Sequence, residues 1–299
     1  MSTQFMVNQF CLGWRPTMIE TRRQSPSDPA QSAPSDLMRL QRGLIPGALM
    51  DEAVGTLCDL MDAAGGEGAL SQPGDLDGRV DRLRTMDRTR LGSVYDAFRE
   101  TLVFQQFVTC PSLTAAARDM TGATVLHAPF QHAVFRMDLA GEHWRGFGWH
   151  QDYPYNMLSD RYVTAWAPLT PSGPANGSIE VAPDLSDQIH PVEIRYKRDA
   201  AGMRLSTRDA FIAQDLQAGF DAGARTLELD PGDVALFHNR LVHRSGRNPG
   251  PRHRFSIQMR FGDLLAPECA ARGWRNRRAD GFDTFKTLHP DLVAYEEVP

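Results

Sequence analysis

The sequence predicts a mainly β protein in which a layer of helices packs on a β-sandwich or barrel. Three observations carry this expectation. Before Gly122 the apolar residues recur at helical spacing, whereas after it short alternating stretches are separated by turn residues. The 299 residues are also enough for one large domain with a substantial core.

The chain opens on an apolar arm holding Phe5, Phe10, Cys11, Leu12 and Trp14. Gln24 to Asp36 follows as QSPSDPAQSAPSD, where proline and serine dominate without any apolar period, so a flexible segment is expected. Residues 1–36 therefore read as an arm and residues 37–299 as one domain. From residue 37 to about 121 the period is helical. Val54, Leu57, Cys58 and Met61 fall at i, i+3, i+4 and i+7, as do Leu91, Val94, Tyr95 and Phe98, and Leu113, Ala116, Ala117 and Met120. Ser112 is positioned to cap the third of these helices and Gly122 to end it, and Gly65 to Gly78 reads as a glycine-rich loop.

The core expected over 122–263 holds strands at Thr124 to Leu139, Tyr162 to Leu169, Ser178 to Val181, Thr226 to Leu229, Asp233 to Phe237 and Phe255 to Phe261. Turns at Pro171 to Pro174, Asn176-Gly177, Pro231 to Asp233 and Asn248 to Gly250 separate them. Arg195 to Gly223 has weak periodicity and carries Arg195, Lys197, Arg198, Arg204 and Arg208. It reads either as a lid or binding loop, hinting at an acidic or phosphorylated ligand, or as a solvated surface loop. Residues 264–299 read as a C-terminal tail.

Composition narrows the function. A net charge of −5 gives no footprint for nucleic acid. No apolar run is long enough to span a membrane, and no basic-then-apolar leader opens the chain. Cys11, Cys58, Cys110 and Cys269 are scattered, which argues against a disulfide framework or a zinc-thiolate site and suits a cytoplasmic setting. No phosphate-cradling loop or nucleophile elbow is present.

The chemistry concentrates at Trp149-His150-Gln151-Asp152-Tyr153. In an extended segment residues i and i+2 share a side, so His150 and Asp152 aim an imidazole and a carboxylate at one point. A third ligand comes from Phe237 to Gly246, as His243 or, less favourably, His238. Two histidines and one carboxylate on one face of a metal are the facial triad of non-haem iron(II) oxygenases. Downstream, Arg254, Ser256, Gln258 and Arg260 alternate with Phe255, Ile257, Met259 and Phe261. Inside a barrel a charged face of this kind needs an anionic partner; on an exposed strand Arg254 is simply solvated. Arg254 offers a forked contact and Ser256 a hydroxyl, a match for the distal carboxylate of 2-oxoglutarate. Tyr153, Tyr155 and Asn156 read as lining the substrate site or as loop packing, and Trp144, Phe147 and Trp149 as pocket wall or core. His127, His132, His143, His190, His253 and His289 read as core or surface residues, with His143 near enough to reach the pocket.

These residues resemble the phytanoyl-CoA dioxygenase (PhyH-like) family of iron(II)- and 2-oxoglutarate-dependent oxygenases. The match rests on His150-Gln151-Asp152, Trp166, Gly173 to Val181, Pro231-Gly232-Asp233, His243-Arg244-Ser245, Asn248 and Arg254-x-Ser256, and spans roughly residues 123 to 262. The resemblance implies a double-stranded β-helix, a jelly-roll or cupin-like barrel, with an N-terminal helical layer. It implies His150, Asp152 and His243 as iron ligands and Arg254 as the 2-oxoglutarate anchor. It places Gln151, Trp166 and Ser245 close to the metal and cosubstrate, with Gln131 or His132 as a second cosubstrate contact. The cofactors implied are iron(II), 2-oxoglutarate and O2, the co-products succinate and CO2, and the substrate a small molecule. Related halogenases lack the carboxylate ligand, so Asp152 argues for hydroxylation or another oxidation such as desaturation. The family's Pro-Gly-Ser-His stretch reads Ala182-Pro183-Asp184-Leu185-Ser186 here. Two other functions fit the fold: a cupin-like metal-dependent isomerase or epimerase, and a non-catalytic barrel that binds a small molecule.

Overall fold

The computed structural model describes residues 37–65, 74–142, 146–186, 188–199, 201–274 and 278–298. The arm, His143 and Trp144 lie outside them. The helical layer is α1 (Gly47–Gly65), α2 (Leu76–Asp87), α3 (Thr89–Arg99), α4 (Leu102–Thr109) and α5 (Pro111–Thr121). The three sequence periods fall on α1, α3 and α5, and their apolar stripes enter one core with the outer face of a sheet. Two details of the layer differ from expectation. Residue Cys110 occupies the N-cap of α5, with Pro111 in the first turn, and the Ser112 hydroxyl instead donates to the Leu44 carbonyl at 2.6 Å. Ahead of the helices, β1 (Met38–Gln41) is a strand, because it completes the edge of the main sheet rather than the helical layer. Gly122 ends α5 in the left-handed conformation, as its lack of a Cβ permits.

The remaining strands are β2 (Leu126–His127), β3 (Val134–Asp138), β4 (Val163–Pro168), β5 (Ile179–Val181), β6 (Val192–Arg198), β7 (Arg204–Ile212), β8 (Arg225–Thr226), β9 (Val234–His238), β10 (His243–Ser245), β11 (Arg254–Asp263) and β12 (Val293–Glu296). The main sheet runs β1-β9-β4-β11-β2, with β3 also paired to β11. Facing it is the smaller sheet β10-β5-β8. Every pairing in these two sheets is antiparallel, and the arrangement is the jelly-roll, double-stranded β-helix type.

Alternation decides what each face touches. Along β4 and β9, Val163, Ala165, Ala167, Val234 and Leu236 point to the helices, while Trp166, Ala235 and Phe237 point between the sheets. On β11, Phe255, Ile257, Met259 and Phe261 are fully buried against the helical layer. The segment expected as one long strand from Thr124 is split, because a tight turn at Phe130–His132 intervenes between β2 and β3.

Two regions carry more structure than their sequences advertise. Arg195 to Gly223 is no loop: it is the β6–β7 hairpin followed by α6 (Gln217–Gly223). Val192, Ile194, Ala210 and Ile212 are its buried face, and the charged residues that mask this alternation sit on the other side or at the tip. The expected tail folds as α7 (Pro267–Ala271), α8 (Arg278–Leu288) and β12, which pairs in parallel with β6. Phe282 and Phe285 of α8 are buried with Tyr153, Tyr155 and Ile194. Among the described residues no helix is long and apolar enough to cross a membrane, and Cys58, Cys110 and Cys269 are buried and free.

Candidate active site

The site begins with one pair of backbone bonds. His150 lies opposite His243 of β10, with the His150 N–H donating to the His243 carbonyl at 2.9 Å and the return bond at 3.0 Å. Directly opposed residues share a face, so the two rings meet with centroids 4.0 Å apart. Asp152 follows two positions later, held by the Tyr153 N–H donating to the Asn239 carbonyl at 2.9 Å. One ligand atom from each of His150, Asp152 and His243 lies within 4.8 Å of the others, and all three residues are buried. His238, the alternative ligand, ends β9 away from this cluster; its Nδ1 accepts from the Arg240 N–H at 3.3 Å.

The protonation states suit a cation. Nδ1 of His150 donates to the Gly148 carbonyl and Nδ1 of His243 to the Leu241 carbonyl, both at 2.9 Å. A carbonyl can only accept, so each Nδ1 carries the proton and each Nε2 keeps a free lone pair. Burial, reinforced for His150 by the neighbouring His243, pushes both imidazoles below their ordinary values and keeps them neutral. Burial works against ionisation of Asp152, but the Arg260 guanidinium, aided by the Thr164 hydroxyl, outweighs it and holds the carboxyl well below the usual range. The Thr164 hydroxyl of β4 donates to Asp152 Oδ2, and Arg260 Nη2 reaches the same oxygen at 3.4 Å. Two neutral imidazoles and one ionised carboxylate, oriented from behind, are a donor set that fits iron(II).

The cluster opens into a cavity of about 600 Å³. Arg254, Gln258 and Arg260 line it from β11, Trp166 from β4, and Ser245 from β10. Arg254 is 3% exposed and gives Nη2 to Asp138 at 2.8 Å, yet its Nε and Nη1 have no hydrogen-bond partner among the described residues. The fully buried Ser256 hydroxyl is in the same condition. Unmet buried donors are costly, and guanidinium N–H groups beside a hydroxyl are what a carboxylate satisfies. The Trp166 ring lies 6.0 Å from the Arg254 guanidinium. These orphaned atoms fit 2-oxoglutarate.

Of the other expected residues, Gln131, His132, Phe147, Tyr155 and Asn156 line the cavity. Gln151 does not. Its amide donates to the Gln188 and Arg240 carbonyls and accepts from the His190 N–H, because alternation turns it away from the side shared by His150 and Asp152. Tyr153 packs outward, its hydroxyl 3.1 Å from His289 Nε2, and Trp149 is core, its indole N–H donating to Asp221 at 3.0 Å. His190 and His253 are structural, bonded to the Leu185 carbonyl and to Asp81.

Sequence reasoning missed Thr164, although its place two residues before Trp166 on a strand put it on the inner face. The hairpin borders the cavity through Lys197 and Arg198, which the binding-loop reading names, and through Tyr196, Leu205, Asp209 and Phe211, which it does not. The cations around the cavity are mostly paired: Arg136 and Arg254 share Asp138, Lys197 meets Asp209, Arg198 meets Glu297, Arg244 meets Glu180, and Arg260 meets Asp152.

A jelly roll with a buried cluster of two histidines and one carboxylate defines a non-haem iron enzyme. The chain belongs to the PhyH family: the model described as "Phytanoyl-CoA dioxygenase (PhyH)" matches residues 44–256, more than two thirds of the sequence. It is a non-haem iron, 2-oxoglutarate-dependent enzyme, with iron(II) and 2-oxoglutarate as cofactor and cosubstrate.

Solved structures resemble it in fold. The apo form of the non-haem monooxygenase ThoJ superposes with a TM-score of 0.50 at 16% identity, covering 76% of this chain and 74% of ThoJ. The epimerase SnoN, in complex with Fe3+, alpha ketoglutarate and nogalamycin RO, gives 0.49 at 16% identity over 76% of this chain and 79% of SnoN. Apo EctD from S. alaskensis gives 0.46 at 15% identity over 81% of this chain and 80% of EctD. A search of curated proteins found no match.

Proposed function

We propose that the protein is an iron(II)- and 2-oxoglutarate-dependent dioxygenase that hydroxylates a C–H bond of a small-molecule substrate, with succinate and CO2 as co-products. The observation that carries this reading is the buried convergence of His150 Nε2, His243 Nε2 and the ionised Asp152 carboxylate on one point of the cavity. In this reading those three groups hold the metal. Arg254 and Ser256 receive the distal carboxylate of the cosubstrate, and Trp166, Ser245 and Gln131 border it. Gln151 acts at a distance, bracing the backbone on either side of the ligand strand. The iron and cosubstrate supply the oxidising power when bound. The chain's residues orient them, exclude bulk water and present the substrate carbon. Hydroxylation is favoured over halogenation because Asp152 fills the ligand position a halide would take.

The test is succinate release from 2-oxoglutarate by the iron(II)-loaded protein. Separate Ala substitutions of His150, Asp152 and His243 are expected to abolish it. Arg254→Met should raise the cosubstrate KM by about tenfold or more, since a charge-assisted bond contributes about 1.5–3 kcal/mol. Full turnover in the three Ala variants overturns the metal assignment. Unaltered turnover without 2-oxoglutarate, with a mild Arg254→Met, points instead to a cupin-like isomerase.

A further inference from the structure

We infer that the substrate carries an anionic group, a carboxylate or a phosphate, and that Arg99 receives it. This rests on the cavity being the oxygenase site proposed above. Arg99 closes α3, and its guanidinium lines the same cavity as the His-Asp-His cluster. Tyr95, one turn earlier, also lines the cavity and lies beneath the guanidinium, 5.7 Å from ring centroid to Arg99 Cζ. The one hydrogen bond the side chain makes among the described residues is long, from Nη2 to the Ala133 carbonyl at 3.3 Å. Its Nε is buried with no partner.

Charge sets Arg99 apart. The other cations lining the cavity each have a carboxylate of this chain, as described above; among the described residues Arg99 has none. The cosubstrate cannot supply one, because one of its carboxylates goes to the metal and the other to Arg254. A positive group held in a partly dry cavity with an unmet N–H is costly unless a bound anion completes it. A forked guanidinium donates to carboxylate or phosphate oxygens equally well in geometry. The same cavity has apolar and aromatic lining where Tyr196, Leu205 and Phe211 of the β6–β7 hairpin border it. The substrate class is therefore an amphipathic acid: an apolar body across the hairpin, an anion on Arg99, and the oxidised carbon between them at the metal.

The test is calorimetric and needs no turnover. The protein loaded with iron(II) and saturated with 2-oxoglutarate is titrated without oxygen with hexanoate against hexanamide, phenylacetate against phenylacetamide, and hexyl phosphate against hexanol. At least one anion should bind about tenfold or more tightly than its neutral twin, and the stronger acid type identifies carboxylate or phosphate. Arg99→Gln should shrink that preference to about twofold or less, while Arg99→Lys retains part of it. Arg198→Gln, which removes a cation already paired with Glu297, should leave the preference standing. The inference fails if no anion is preferred over its twin, whether through equal binding or none, a result wild-type protein gives by itself. It fails equally if Arg99→Gln keeps the preference or Arg198→Gln abolishes it. Loss of anion preference alongside triad-dependent succinate release removes this inference alone; triad-independent release removes the functional reading beneath it.

Discussion

At Asp152 two oppositely directed effects meet. Burial favours the neutral acid, yet the Arg260 guanidinium keeps it ionised. The Thr164 hydroxyl fixes which way the carboxylate turns. Thr164→Val keeps the shape and deletes that bond. Because partners behind a metal ligand typically account for about 10- to 100-fold in affinity, cobalt(II) titration of this variant should show weakening in that range. Unchanged affinity would mean that Arg260 alone orients the carboxylate. Most of the cluster was legible in the sequence because His150 and Asp152 are two apart and a strand's period is two. The same rule, applied to Gln151, places it on the opposite side, where it bonds the Gln188 and Arg240 carbonyls. Family likeness locates a residue near the metal without saying which way its side chain points.

Strand β11 shows how much one element can reveal. Its alternation of polar and apolar residues named both faces, and both are observed. The β6–β7 hairpin hid the same alternation, since its other side carries cations held by ion pairs, Arg198 and Arg208 with Glu297 and Glu296 of the C-terminal segment and Arg195 and Lys197 within the hairpin. That segment was equally hidden, because it is divided among two short helices and a four-residue strand, none long enough to sustain a clear period. Yet Phe285 is fully buried, its ring centroid 6.4 Å from that of Tyr153, directly after the metal carboxylate. Phe285→Ala should cost about 3–5 kcal/mol in urea unfolding. A loss below about 1 kcal/mol would show α8 to be an appendage and not part of the core.

For the molecule as a whole, acid should be destabilising through a histidine outside the metal cluster. Burial, aided by Arg240 and Arg161, pushes His238 down to about 4 from an ordinary value of 6.5. Between those values the unfolded chain binds a proton that the folded chain refuses, so stability rises with pH across the window and falls as pH drops from 6.5 toward 4. The slope from this group is about 1.4 kcal/mol per pH unit. Urea midpoints at several pH values should flatten across this window in His238→Gln, and an unchanged slope would show that His238 is not held neutral. The sequence by itself determined the order of layers, the faces of β11, the shared side of His150 and Asp152, and the preference for His243 as their partner. Each of these depends on periodicity or short-range spacing, which local geometry enforces. Only the tertiary structure decided that His238 is excluded, that Thr164 and Arg260 sit behind Asp152, and that the hairpin walls the cavity. It alone left Arg99 without a counter-charge among the described residues. Those outcomes depend on which distant side chains share one desolvated space, and burial, not spacing, decides which charges must find partners.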